Sequence, residues 1–361
     1  MRDVEPAAFL FPPQDREWGL PTEVPLTPRA ARRLGREAAT NSFDKAAEAL
    51  SEDWPVGWDG KQIQRWSEAL GRRLVLERDA EVAAYARGVR PDSPRNAPAL
   101  LVVGMDGGRV QMREKDAATG SRWREDKVAA ITSYLLGDGT PEHPPQAVVT
   151  THVGTMEKAE AFGKLVQVEA ERRGLRTAET VLVMGDGGTW IDPLARRERL
   201  CDQRIVDYHH AAEHLYEAAR AALGRDTPAA KALGEQLSEW LHDGPFDRVL
   251  ETLRMHAQRA GTPKAEDGRE HPRRVLANVV EYFEKHRAHM DYPAYRKKGW
   301  PIGSGVTESG VKQFNKRVKG TEQFWSPSGV EAILALRALC LSQDDRWSRY
   351  WNSRPAHLAA A

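Results

Sequence analysis

The chain has 361 residues, with 53 Lys and Arg against 52 Asp and Glu, for a formal charge of +1. That length supports a large core and two or three domains, and the balanced charge leaves any polyanionic partner to local patches. Cys201 and Cys340, the only cysteines, exclude a disulfide scaffold or a four-thiolate zinc site, and the absence of a long apolar run or secretory signal leaves a cytoplasmic protein with no membrane contact as the expectation.

Residues 1–28 are proline-rich and aperiodic, which predicts an extended or disordered arm. Residues 29–95 read as helical: Arg29–Ala39, then Phe43–Leu50 opened by Ser42, then a break at Pro55 and Gly57. Asp59 caps a third helix, whose Ile63, Trp66, Leu70 and Leu74 form an apolar stripe at helical spacing. Helix, short turn, helix outlines a helix-turn-helix DNA-binding unit. Its outer side offers Lys61, Gln62, Arg65 and Arg72 to phosphates and base edges. A small helical bundle with a solvated face explains the same pattern.

Over 98–210 the period changes. Ala99–Met105 reads as a buried strand ending at Asp106, Gly107-Gly108 as a tight hairpin turn, and Arg109–Arg113 as the next strand. Trp123–Ile131 alternates as a third, and Ala147–Thr151 extends that sheet or adds a short strand. A helix from Met156 to Arg173 should stop at Gly174. Thr180–Met184 is a continuous apolar strand, the kind buried on both faces, and ends at Asp186. Asp192 and Pro193 open another helix as cap and first-turn residue, and Gln203–Asp207 is the last strand. Four striped helices follow over 211–298: Ala211–Leu223, Pro228–Leu241, Phe246–Gln258 and Val275–His289. The loop Gly299–Gly305 leads to a helix over Val306–Val318 and a closing helix over Ser328–Leu341, with 346–361 as a tail.

Two strings carry the chemistry: Met105-Asp-Gly-Gly108 and Gly185-Asp-Gly-Gly188, each after an apolar strand. Ligands collect at the carboxyl ends of strands in open α/β sheets. A carboxylate there suits magnesium, which takes one or two carboxylates plus substrate phosphate. Bare glycine backbone lets a phosphodiester approach. Asp-Gly is also a common turn pair, so each aspartate alone could merely shape a loop. Holding two metal ions needs a third carboxylate, and Glu308 is the candidate. It follows Gly303-Ser-Gly305 in the first turn of a helix whose buried face is Val311, Phe314 and Val318. Lys312, Lys316 and Lys319 continue its stripe, and Arg317 adds a further cation for DNA phosphate. From 285 to 320 there are nine Lys or Arg and two acids, Asp291 and Glu308. The plainer alternative makes Glu308 and Lys312 a surface pair of about 0.3 kcal/mol.

Five strings together resemble a known family: Gly104-Met-Asp-Gly-Gly-Arg-Val110, Trp123-Arg-Glu-Asp-Lys-Val128, Val183-Met-Gly-Asp-Gly-Gly-Thr-Trp-Ile191, Asp207-Tyr-His-His-Ala-Ala-Glu-His-Leu215 and Pro301-Ile-Gly-Ser-Gly-Val-Thr-Glu-Ser309. They look like the transposases of bacterial insertion sequences of the ISKra group, which are related to mutator-like transposases. The resemblance covers about residues 98–340 in order. It implies an RNase H-like core with a mixed sheet, an all-helical insertion before the glutamate helix, and Asp106, Asp186 and Glu308 as the DDE triad. It also matches Asp207 and His210 to the Asp-x-x-His signature of the wider group, so both are expected beside the triad. Family members often carry a cysteine-rich amino-terminal part; no cysteine precedes Cys201 here. End recognition then falls to the 29–90 helices or the insertion.

The remaining readings are narrower. His210 and His214 share a helical face and could bind metal, touch the triad, or simply pack. Trp190 fills core or stacks on a base, and Trp300 and Trp325 flank the basic segment as a stacking platform or as anchors. The implied activity is cleavage of element ends and joining of the 3′-hydroxyl to target DNA, with two Mg²⁺ ions (Mn²⁺ substituting) about 4 Å apart. Double-stranded DNA is the expected partner, held by a homodimer or higher oligomer because two ends must be paired. A nuclease of the same fold and a domesticated DNA-binding protein are the alternatives.

Overall fold

The computed structural model describes Val24 and residues 26–54, 57–320 and 323–352. The arm expected over 1–28 falls almost wholly outside them, as does the tail beyond Asn352.

Five strands make one mixed sheet. β1 (Leu100–Gln111), β2 (Trp123–Leu135) and β3 (Gln146–Thr155) are antiparallel neighbours. On the other side of β1, β4 (Thr180–Gly185) and β5 (Gln203–Val206) run parallel to it. The order β3-β2-β1-β4-β5 is consistent with an RNase H-like core.

Side-chain alternation divides β1 between two faces. Leu101, Val103 and Met105 pack on α4 (Ala159–Arg172) and α5 (Ile191–Arg197). Leu100 and Val102 pack against the helices that follow β5: α6 (Tyr208–Leu223), α7 (Pro228–Asp243), α8 (Phe246–Ala260), α9 (Pro272–His286) and α10 (Tyr292–Lys297). Farther along β1, Val110 and Met112 join a third cluster. It contains α1 (Pro28–Thr40), α2 (Phe43–Asp53), α3 (Gly60–Ala86), α11 (Gly305–Val318), α12 (Pro327–Leu341) and α13 (Arg346–Asn352). Leu34, Leu50, Ile63 and Leu70 of the amino-terminal helices share it with Val311 and Phe314 of α11 and Ile333 and Leu336 of α12.

The caps explain several helix starts. Asp59 accepts from the backbone N–H groups of Lys61 (2.7 Å) and Gln62 (3.3 Å), and Ser42 from that of Lys45 (3.4 Å). At α5 the expectation shifts by a turn position: Trp190 occupies the cap, and Asp192 instead accepts from Arg204 Nε at 2.9 Å. Neither α10 nor α13 was expected.

The larger correction is in β1. Gly107 and Gly108 make no hairpin; β1 runs through them, paired with Lys127 and Asp126 of β2. Neither glycine has a positive φ. Gly108 clears room for a helix instead: a Cβ there would stand 2.5 Å from both Asn315 Oδ1 and Asp126 Oδ1. Asp106 therefore lies inside a strand rather than at its end.

Arg317 requires a second correction. It is 2% exposed, so it offers nothing to DNA at the surface. Its Nε donates to the carbonyl of Ala38 at 2.6 Å, and its guanidinium lies over the rings of Phe43 and Trp325. Arg337 donates to the carbonyl of Ala39 at 2.5 Å. The two arginines thus satisfy carbonyls at the carboxyl end of α1, where cations are favoured.

Among the described residues no helix is long and apolar enough to cross a membrane.

α3 crosses α12 at Gly71, where an added Cβ would lie 2.2 Å from the carbonyl oxygen of Ala332. Neither backbone can yield cheaply. Gly71→Ala should lower unfolding free energy by about 1–3 kcal/mol, read by denaturant titration; an unchanged midpoint would mean the helices do not cross so closely.

Candidate active site

The parallel pairing of β1 with β4 sets the site. Gly104 pairs with Met184 and Val102 with Leu182. Asp106 stands two residues farther along β1, on the face of Val102 and Gly104, and Asp186 comes two residues after Met184, with neighbouring strands about 4.8 Å apart. Asp106 Oδ1 accepts from the Gly107 N–H at 2.6 Å, and Asp186 Oδ1 from the Gly188 N–H at 2.8 Å. Asp186 lies just past β4, where Gly187 turns the chain at φ +89°.

Helix α11 covers the same face of β1. A Cβ on Gly104 would fall 1.7 Å from Thr307 Oγ1, and one on Gly154 of β3 would fall 2.6 Å from the Phe314 ring. Glu308 follows Thr307 directly, with a side chain 28% exposed. Burial raises the pKa of Asp106 above its ordinary value; the charges of Asp186 and Glu308 raise it further, while His210 opposes them. The three acids separated by so much chain therefore share one electrostatic neighbourhood.

They do not form a ready coordination shell. Among the described residues no three His, Cys, Asp or Glu side chains close into a metal-binding cluster. Glu308 is drawn to Lys312 Nζ at 3.2 Å, and each aspartate to its own downstream N–H. Any shared cation requires Glu308 to exchange its lysine for the aspartates.

Residues around the acids hold them from distant parts of the chain. Asp207 is fully buried and accepts from the backbone N–H of His210 at 3.0 Å and from that of Ser304, the residue before α11. It therefore ties the start of α6 to the start of α11. Tyr282 of α9 donates to the carbonyl of Asp186 at 3.0 Å, and its ring lies 3.0 Å from where a Cβ on Gly187 would be. Buried Arg204 donates to the carbonyl of Gly185 at 3.4 Å. Neither Tyr282 nor Arg204 carries a sequence signal pointing here.

The histidines divide. His210 lies 3.6 Å from Glu213, and His214 pairs with Glu217 at 3.4 Å and packs its ring on Tyr282. Trp190 packs edge-on against Phe162. Trp325 is buried, donating Nε1 to the Val318 carbonyl at 2.8 Å, so it anchors rather than stacks. Trp300 stacks on Tyr295. Lys61, Arg65, Lys312, Lys316 and Lys319 are exposed, and Gln62 is half-buried. A cavity of about 360 Å³ between α3, α4 and α12 lies beyond β3 and includes none of the three acids.

One residue of the site was missed. Asp126 of β2 lies opposite Gly108, on the face of β1 that carries Asp106. It is fully buried, and both its oxygens lack a hydrogen-bond partner, as does Asn315 Oδ1 on α11. Burial, with smaller help from Glu125 and Asp106, pushes its pKa up to about 6. In its protonated form Asp126 has a donor to offer the Asn315 oxygen.

No protein-family model and no curated protein matches the chain. Among solved structures, the Drosophila P element transposase strand transfer complex aligns at 10% identity over 83% of this chain and 89% of that one, with a TM-score of 0.35. NurA with manganese aligns at 12% identity over 82% and 65%, with a TM-score of 0.13. At scores this low the assignment rests on the residues themselves.

The Asp126 proton gives a signed prediction. A carboxyl with a folded pKa near 6 and an ordinary value of 3.8 stabilises the fold fully below about pH 4. That contribution is lost as pH rises through 6. Asp126→Asn should therefore gain on the wild type between about pH 4.5 and about pH 7.5, by up to roughly 3 kcal/mol. Parallel pH profiles of unfolding free energy would show that Asp126 does not hold this proton.

Proposed function

We propose that the protein is a DNA transposase of the DDE type, cutting element ends and joining the 3′-hydroxyl to target DNA. The observation that carries this reading is that Asp106 in β1 and Asp186 just past β4 each follow the paired Gly104 and Met184 by two residues, with the helix that bears Glu308 packed on β1. Burial does most to raise Asp106, and the charges of Asp186 and Glu308 add to it; a divalent cation would relieve that added repulsion. Hard carboxylate oxygens are the donors that magnesium takes, with substrate phosphate completing its shell.

Asp106, Asp186 and Glu308 would hold two Mg²⁺ ions, for which Mn²⁺ can substitute. Bound there, such ions supply Lewis-acid stabilisation of the phosphodiester and a lowered pKa for the attacking water or 3′-hydroxyl. The chain contributes the rest. Lys312, Lys316 and Lys319 on the exposed side of α11 would bind the phosphate backbone, and Lys61, Gln62 and Arg65 on α3 would read duplex DNA. Asp207 fixes the loop before α11 and holds the backbone N–H of His210 at the start of α6. Two DNA ends call for at least two copies of the chain.

Asp106→Asn tests the reading. It should reduce strand cleavage and strand transfer by more than about 100-fold, while duplex affinity stays within about threefold. Wild-type cleavage by this variant would remove Asp106 from the chemistry. Wild-type protein that cuts but never joins strands would instead be a nuclease of the same fold.

A further inference from the structure

Helix α1 carries Arg29, Arg32, Arg33 and Arg36, spaced so that all four lie on one face. The opposite face buries Ala31, Leu34 and Ala38. With Asp53, Trp54 and Trp347, the arginines line an open groove of about 550 Å³. Among the described residues only Arg33 of the four is ion-paired, with Glu37 and, at 2.7 Å, with Asp53. Among the described residues no carboxylate lies within ion-pair range of Arg29, Arg32 or Arg36.

The groove floor is rigid. Trp347 is buried and packs edge-on against Trp351. Above it stands the guanidinium of Arg36, 5.5 Å from the ring centroid. Arg32 reaches the Ser348 hydroxyl at 3.4 Å. From residue 29 to 36 a helix rises about 10 Å, while phosphates of one duplex strand advance about 3.4 Å each along the duplex axis. Three guanidiniums on long side chains over that length can reach up to three phosphates, and the planar fork suits phosphate oxygens. The groove is also fixed relative to α11, because Arg317 and Arg337 grip the carbonyls of Ala38 and Ala39 at the end of α1.

We propose that this face of α1 binds the sugar–phosphate backbone of duplex DNA without reading bases. It rests on the proposed action on DNA and gives the protein a holding surface separate from α3 and α11. The partner is a polyanion because, among the described residues, three of the groove's four arginines have no carboxylate within ion-pair range and its one acid, Asp53, is paired with Arg33.

The test uses the full chain and a duplex of arbitrary sequence, about 30 base pairs long, with affinity followed against salt. Each phosphate contact contributes about 0.9 to the slope of log affinity against log salt. The variant Arg29→Ala/Arg32→Ala/Arg36→Ala should flatten the slope by about 2.7. Arg29→Ala alone, fully at the surface, should remove about 0.9 and keeps the proposal testable if the triple variant misfolds. An unchanged slope, with wild type still binding, overturns the groove and leaves the transposase reading intact. If the triple variant instead loses self-association in sedimentation at an unchanged slope, the groove joins copies of this chain and the proposal is also wrong. Wild-type protein that binds no duplex refutes the functional reading itself, and the groove with it.

Discussion

The contact between Thr307 and the bare backbone of Gly104 fixes the geometry of the whole site. Any larger residue at 104 would drive its Cβ into the Thr307 hydroxyl, so α11 lies directly on β1. Gly108 and Gly154 repeat the device beneath Asn315 and Phe314. Asp106 lies between two of these glycines on the same face, and Glu308 comes one residue after Thr307. The strand aspartate and the helix glutamate therefore come together through close packing, despite their like charges.

Like charges packed this way need restraint from elsewhere, and the helices between β5 and α11 supply it. Tyr282 holds the loop of Asp186 by its carbonyl, and Asp207 holds the loop before α11 by the Ser304 N–H. These helices thus belong to the scaffold of the site. On the other side, α1–α3 share one core with α11 and α12. A load on the amino-terminal helices is passed to the glutamate helix through buried side chains and the Arg317 and Arg337 clasps rather than across a linker.

Much of this was legible in the sequence where the signal is local. The apolar run Thr180–Met184, the caps Ser42 and Asp59, and the stripe Val311, Phe314 and Val318 each state their structure within a few residues. Identical Asp-Gly-Gly strings, however, have different fates. Gly187 turns at positive φ, while Gly107 and Gly108 stay in a strand because β2 pairs with both and α11 covers Gly108. Asp126 was illegible for the same reason: between Glu125 and Lys127 it reads as a solvated edge, and only the distant helix buries it. Arg317 was misread against its own period. It lies three residues after Phe314, on the buried side, and its charge is accommodated by α1 carbonyls and two aromatic rings.

The central claim is that Asp106, Asp186 and Glu308 take up divalent cation together. It is tested most directly by a crystal structure grown with Mn²⁺, using the anomalous signal of the metal to locate it. The expected map shows manganese in contact with oxygens of all three residues, at about 2.2 Å, and Glu308 released from Lys312. Manganese bound elsewhere, or no peak at saturating metal with Glu308 still paired to Lys312, would contradict it.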